Sequence, residues 1–172
     1  RILKVFNAYI FCSKNLLVDY INYAEDNGYN WDLLVMGKNN PIPTKNNKYL
    51  PDIEFIMYIR ESGACFNNLI GPNHFHKYKK VKMINVVSSK YGHPTEKNLD
   101  VIEQLIEISS QKNDIILDPF VGSGVTALGC IRLERRFIAC EIDKDFHIMA
   151  LKRIKNKKAK EELEQMTLLF SQ

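Results

Sequence analysis

Apolar positions along this chain follow two rhythms, short unbroken runs and stretches with helical spacing. Ala8-Tyr9-Ile10-Phe11-Cys12 is an unbroken run closed by Ser13, which predicts a buried strand. From Asn15 to Asp26, Leu16, Leu17, Tyr20, Ile21 and Ala24 recur at helical intervals, and Asn27-Gly28 supplies a stop. Trp31 to Met36 predicts a second strand and Ile53 to Arg60 a third. Between them, Gly37 to Asp52 is crowded with Asn, Lys and Pro, a connector long enough to suggest function or mobility. Glu61 to Tyr91 shows little periodicity and many lysines; it predicts loop, with one short strand around Met83–Val87.

Further along, the rhythm sharpens. Thr95 to Gln111 puts Leu99, Val101, Ile102, Leu105, Ile106 and Ile108 on the buried face of one helix. Asp114-Ile115-Ile116-Leu117 predicts a strand without polar alternation, as expected where both sheet faces are covered. A glycine-rich turn leads to a helix over about Gly124–Leu133, the strand Phe137–Cys140, and a helix over roughly Lys144–Ile154. Lys155 to Gln165 mixes basic and acidic residues and predicts an exposed helix laced by i,i+4 pairs, while Met166–Phe170 fits neither template. Strands alternating with helices, with no internal repeats, predict an α/β fold: a doubly wound, mostly parallel sheet with helices on both faces.

At 172 residues the chain has the size of one domain. No apolar run approaches the roughly 20 residues of a membrane-spanning helix, and no signal-like core follows Arg1, so neither membrane insertion nor secretion is expected. Cys12, Cys65, Cys130 and Cys140 contain no CxxC pair; they are expected to be free, mostly buried thiols in a reducing cytoplasm, with Cys130 and Cys140 in the core. Lys and Arg total 24 against 20 Asp and Glu, and the resulting +4 permits a polyanionic partner without demanding one. The densest basic stretch is Lys77, Lys79, Lys80 and Lys82, interleaved with Tyr78 and flanked by His74 and His76. It is either a set of DNA phosphate contacts or a solvated charged loop. The two histidines have no nearby Cys or carboxylate cluster, so no metal site is expected.

The segment richest in chemistry is Asp118-Pro119-Phe120-Val121-Gly122-Ser123-Gly124, between a strand and a helix. Glycines let backbone pass close to a ligand, and a helix N-terminus presents unpaired amides at the carboxyl edge of a parallel sheet, where nucleotide-like cofactors bind. Glu141, about twenty residues on at the end of the next strand, suits the two hydroxyls of a ribose. The pattern is not GxGxxG, and an acid at Asp118 would repel a pyrophosphate. A carboxylate there suits a cofactor with a positive group, which favours S-adenosylmethionine (AdoMet) over NAD. The same residues also fit a plain glycine-rich strand-to-helix turn.

Asp118 to Gly124 resembles the AdoMet-binding motif of the DNA amino-methyltransferases, which modify adenine N6 or cytosine N4. His93-Pro94-Thr95-Glu96-Lys97 resembles the partner motif that precedes it in that family by a helix and a strand. Phe137 to Asp143 resembles the acidic-strand motif that follows, Arg153-Ile154 the closing helix, and Asn39–Pro43 with Tyr49–Phe55 the loop and strand upstream. The likeness spans nearly the whole chain and is nearest to phage-type N6-adenine enzymes. It implies a Rossmann-like AdoMet-dependent methyltransferase with one antiparallel strand, acting on double-stranded DNA. Asp118 would lie near the methionine ammonium and Phe120 against the cofactor, with Pro119, Gly122, Ser123 and Gly124 shaping the turn. Glu141 would hold the ribose, His93, Thr95 and Lys97 would wall the methionine end, and Asp143 would sit near the adenine edge. Lys38, Lys45, Lys77, Lys79, Lys80 and Lys82 would face DNA, with the Lys38–Tyr49 loop near the target base. Residues 1–60 would be the remainder of a catalytic half, 61–92 a DNA-facing region, 93–155 the AdoMet-binding half and 156–172 a charged tail, all within one partial domain.

Three positions depart from that pattern. Asn98 replaces a usual Pro and Val125 a usual Thr, with Thr126 keeping one hydroxyl at the turn. The catalytic tetrapeptide, Asp/Asn/Ser-Pro-Pro-aromatic, is absent, so no catalytic residue is assigned within this chain. Too few residues follow Glu141 to hold a catalytic half. The resemblance therefore implies the permuted order, with the tetrapeptide upstream of Arg1 on a central strand between Asp114–Leu117 and Ala8–Cys12. In such an enzyme the target base is flipped out and its amine is activated by the tetrapeptide's polar side chain and a prolyl carbonyl. The competing reading is an inert AdoMet- or DNA-binding module; a dinucleotide oxidoreductase is disfavoured by the turn. Oligomeric state, recognition sequence and a restriction partner stay open.

Overall fold

A computed structural model describes residues 5–43, 45, 49–67, 80–85 and 96–156. The chain divides into two units, Arg1–Val86 and Val87–Gln172. In the first, strands β1 (Asn7–Cys12), β2 (Asn30–Lys38), β3 (Ile53–Arg60) and β4 (Val81–Ile84) form one sheet in the order β1-β3-β2-β4. β3 runs antiparallel to both β1 and β2, and β2 runs parallel to β4, so β3 is the one reversed strand of this sheet. The last strand lies a little earlier than Met83–Val87, because Val35 to Lys38 pair with Val81 to Ile84.

Alternation along these strands sorts the side chains. The register lines up Ile10, Met57 and Leu33, and next to them Ala8, Ile59 and Trp31. Helix α1 (Leu17–Asp26) packs onto this face, where Ala24, Met57 and Ile59 are fully buried and Leu17, Tyr20 and Ile21 close around them. Leu16 falls in a short 3₁₀ turn ahead of the helix and is exposed, a departure from the predicted stripe. The opposite face carries Tyr9 stacked on Tyr58, with the Arg60 guanidinium over the Tyr58 ring. Arg60 and Lys80 both bind Asp32. Burial alone would raise the Asp32 pKa, but the hydrogen bonds and charges of Lys80 and Arg60 outweigh it and hold the carboxyl low.

In the second unit, α2 (Leu99–Ser109) leads into β5 (Ile115–Asp118), α3 (Val125–Arg132) and β6 (Arg136–Ala139); residues 144–156 form a further helix, α4. α2 begins at Leu99 and not Thr95 because the Asn98 side chain caps it, accepting a hydrogen bond from the Val101 amide at 3.2 Å. That bond also explains how a residue other than Pro serves at this position. β5 and β6 are parallel neighbours joined through α3. Val101, Ile102, Ile106, Val125, Ala127 and Leu128 are buried in this unit. Ile115, Leu117 and Ile138 are exposed, which corrects the expectation of a strand covered on both faces. The described part of this sheet holds only two strands, and its helices do not cover that side chain row.

No described helix is long and apolar enough to cross a membrane. The thiols also differ from expectation. Cys130 is buried, Cys12 and Cys65 are half-buried, and Cys140 is exposed on the same alternating row as Arg136 and Ile138.

Candidate functional site

The site is the pair of loops leaving the carboxyl ends of β5 and β6. The two strands are tied beyond their ladder: the Cys140 amide donates to the Asp118 carbonyl at 2.9 Å, and the Val121 amide to the Cys140 carbonyl at 3.0 Å. Both loops are thereby held side by side at one end of a parallel pair. The Asp118 carboxylate turns into its own loop, where Oδ1 accepts from the Phe120 amide at 2.9 Å. Pro119 and Phe120 follow, and the Phe120 ring is 86% exposed.

Glu141 is the residue that joins the loops. Its Oε2 accepts from the Gly122 amide at 2.8 Å and its Oε1 from the Asp143 amide at 2.9 Å. The Asp143 amide, above all, and those of Gly122 and Ile142 hold the carboxyl below the usual carboxylate range, against slight burial and the Asp143 charge. Each carboxylate oxygen retains a further lone pair after these bonds. The next residue, Ile142, is wholly exposed. The two loops thus carry an anchored carboxylate, Glu141, and two uncovered apolar side chains, Phe120 and Ile142, the kinds of contact a nucleoside uses.

The remaining turn residues serve the fold as well. Gly124 adopts φ +82° ahead of α3, and a Cβ there would lie 3.0 Å from the Ala150 Cβ and 3.1 Å from its Cα. Its glycine requirement comes from α4 and from its left-handed backbone. Ser123 is buried, its carbonyl and hydroxyl both facing Arg153. The Asp143 carboxylate caps α4, with Oδ1 accepting from the Asp145 and Phe146 amides at 2.9 and 3.0 Å. Cys130 lies near Asp118; burial first, then the Asp118 charge, pushes its thiol up to about 12.

Lys97 is half-buried one residue ahead of the α2 cap, and His93 and Thr95 lie outside the described residues. Of the basic candidates, Lys38 pairs with Glu54 at 2.9 Å and Lys80 with Asp32. Lys82 sits in β4 and Lys45 is exposed in the long loop. Lys77, Lys79 and the neighbouring His74, His76 and Tyr78 lie outside the described residues, as does the tail from residue 157. Among the described residues no group of His, Cys, Asp and Glu could hold a metal.

Three residues lie in the motifs of the resemblance but received no role from the sequence, Ile142, Glu96 and Arg153. Ile142 carried a signal, an apolar side chain directly after the acidic end of a strand. Glu96 and Arg153 are joined at 2.8 Å. Arg153 follows Phe146 and Ala150 at helical spacing, a charge on an otherwise apolar stripe.

The profile of the N6/N4 methyltransferase family, described as DNA methylase, matches residues 5–152. The type II methyltransferase M2.LlaDCHI of Lactococcus lactis subsp. cremoris is 32% identical over 134 residues, covering 68% of this chain and 48% of that protein. M2.DpnII of Streptococcus pneumoniae is 31% identical over 134 residues, with the same two shares, 68% and 48%. The chain thus spans about half the length of these curated relatives. Among solved structures, the M1.HpyAVI–SAM complex matches with a TM-score of 0.73 at 36% identity, over 85% of this chain and 72% of that one. The cytosine-N4-specific PvuII DNA methyltransferase matches in fold, with a TM-score of 0.66 at 15% identity over 81% of this chain and 56% of its own.

Proposed function

The chain belongs to the N6/N4 DNA methylase family, and on that premise we propose that it forms the AdoMet-binding part of an enzyme that methylates an exocyclic amine of double-stranded DNA, adenine N6 in the first instance. The observation that carries this reading is Glu141, fixed by the Gly122 and Asp143 amides, with exposed Phe120 and Ile142 on the two loops it joins. The residues fit the cofactor. A ribose hydroxyl pair can donate to the spare lone pairs of Glu141, and adenine has Ile142 and Phe120 to pack against. Asp118 spends Oδ1 on its own turn, which leaves Oδ2 for the methionine ammonium, with Lys97, His93 and Thr95 completing that end. Gly122 and Ser123 shape the turn and Pro119 stiffens it. Asp143 orients α4, so its reach toward the adenine edge is through that helix cap. Bound AdoMet supplies an electrophilic methyl group on a sulfonium.

For the fold, the proposal is a doubly wound, mostly parallel sheet to which β5 and β6 belong, with a central strand carrying the catalytic tetrapeptide. That tetrapeptide is not among these 172 residues, so amine activation is assigned to further polypeptide or to a partner. DNA contacts are assigned to Lys45, Lys82 and the Lys77–Lys80 stretch. Lys38 and Lys80 are assigned with them, each also pairing with a carboxylate, Glu54 and Asp32. A DNA substrate puts the protein in the cytoplasm. The missing tetrapeptide favours a second reading for this chain taken alone, an inert AdoMet-binding module.

The test is incubation with AdoMet and unmethylated duplex DNA, with and without polypeptide carrying the tetrapeptide, followed by nucleoside mass spectrometry. N6-methyladenine supports the first reading and N4-methylcytosine moves the target to cytosine. AdoMet binding without transfer under both conditions supports the inert module. Binding of NAD in place of AdoMet overturns the family of readings.

A further inference from the structure

We propose that Arg153 is a positioning residue for the cofactor turn, an ionic latch that fixes the backbone of Gly122–Gly124 from below. This rests on the AdoMet reading and adds to it a residue that touches no cofactor. Arg153 is 8% exposed although it belongs to a charged residue type. Its Nη1 donates to Glu96 Oε1 at 2.8 Å, and at 3.3 Å to both the carbonyl and the hydroxyl of Ser123. One guanidinium nitrogen therefore ties three stretches of the second unit: the approach to α2, the glycine turn and α4.

The location gives the latch its consequence. Ser123 stands between Gly122, whose amide holds Glu141, and Gly124, where an added Cβ would meet Ala150, about one turn of α4 before Arg153. Glu96 adjoins Lys97 in the segment assigned to the methionine end of the cofactor. A buried charge pair is a poor source of stability, because desolvation offsets its attraction; in some proteins its role is to specify geometry, and that is the role proposed here. Here the geometry specified is the turn on which Glu141 and the adjoining segment depend. The turn could be held by apolar packing alone; a guanidinium reaching a carbonyl, a hydroxyl and a carboxylate sets its position as well as its burial.

The experiment uses the full chain with Arg153→Lys, Arg153→Met and Glu96→Gln, read by backbone amide exchange without ligand and by calorimetric titration with AdoMet. Expected for Arg153→Met is faster exchange confined to residues 120–124 and AdoMet affinity lower by about tenfold or more. Arg153→Lys keeps the charge and recovers part of that loss, and Glu96→Gln, which keeps a hydrogen-bond acceptor, loses less than Arg153→Met. If Arg153→Met does not fold, Arg153→Lys carries the same two readouts with smaller changes. Unaltered exchange in the turn overturns the latch. Faster exchange with unchanged AdoMet affinity overturns its positioning role, as does a uniform rise in exchange across the second unit. If the unmodified chain shows no AdoMet binding, the functional reading falls and takes this inference with it.

Discussion

At the residue scale, Glu141 is the carboxylate that the site's backbone anchors by both oxygens, and its pKa lies below the usual range. A depressed carboxyl contributes stability that is present above its unfolded pKa and lost as pH falls through its folded one. Acid titration of the unmodified chain should therefore show a loss below the ordinary glutamate range that Glu141→Gln lacks; matching acid profiles would contradict the anchoring. Two thiols make a contrasting pair. Cys130 is buried with its thiol pushed up to about 12, whereas Cys140 is exposed. A thiol reagent at neutral pH should label Cys140 in the native protein and reach Cys130 only after unfolding, by peptide mass spectrometry; early labelling of Cys130 would place it nearer the surface. Gly124→Ala meets both a left-handed backbone and Ala150, and should cost about 2–4 kcal/mol in denaturant unfolding. Ala150→Gly added to it should recover only the part of the clash due to the Ala150 Cβ, since its Cα stays at 3.1 Å. Full recovery would mean that backbone conformation contributes nothing.

At the element scale, helix ends show what sequence could and could not announce. Asn27-Gly28 marks the end of α1, and the structure closes it there, with Tyr29 and Gly28 amides donating back to the Ala24 and Glu25 carbonyls. α3 ends by the same pattern, with Arg135 and Glu134 amides on the Cys130 and Ile131 carbonyls, but Glu134 takes the left-handed position at φ 59°. Nothing in that residue type signals such a turn. Glu134→Gly should raise the melting temperature by a few degrees, even though it removes the exposed Lys112 contact. A fall would show that the contact outweighs the backbone. Asn98→Ala removes the α2 cap and should cost about 1 kcal/mol in unfolding free energy. Strands β1, β2 and β3 were readable because unbroken or alternating apolar runs leave little choice of register. β4 was less so, since Val81 and Met83 are exposed and only pairing with β2 defines it. The buried role of Glu96 and Arg153 was hidden because each looks, in isolation, like a surface charge.

For the whole molecule, the glycine turn and Glu141 were legible because a strand, a tight bend and a second acidic strand end must fall at set distances for any cofactor lying across a parallel pair. What the spacing left open was which partner each group takes. Asp118 turns into its own loop, Asp143 caps a helix, and Gly124 answers to Ala150. The family match spans residues 5–152, and the chain's half-length share of its relatives is why catalysis stands as a proposal. The most direct test of the central claim is calorimetric titration of the full chain with AdoMet, alongside Asp118→Ala and Glu141→Ala. The account predicts saturable binding by the unmodified chain, weakened about a hundredfold or more by either substitution, each removing a charged contact of about 3 kcal/mol. Affinity unchanged in both variants, with both still folded, would contradict it.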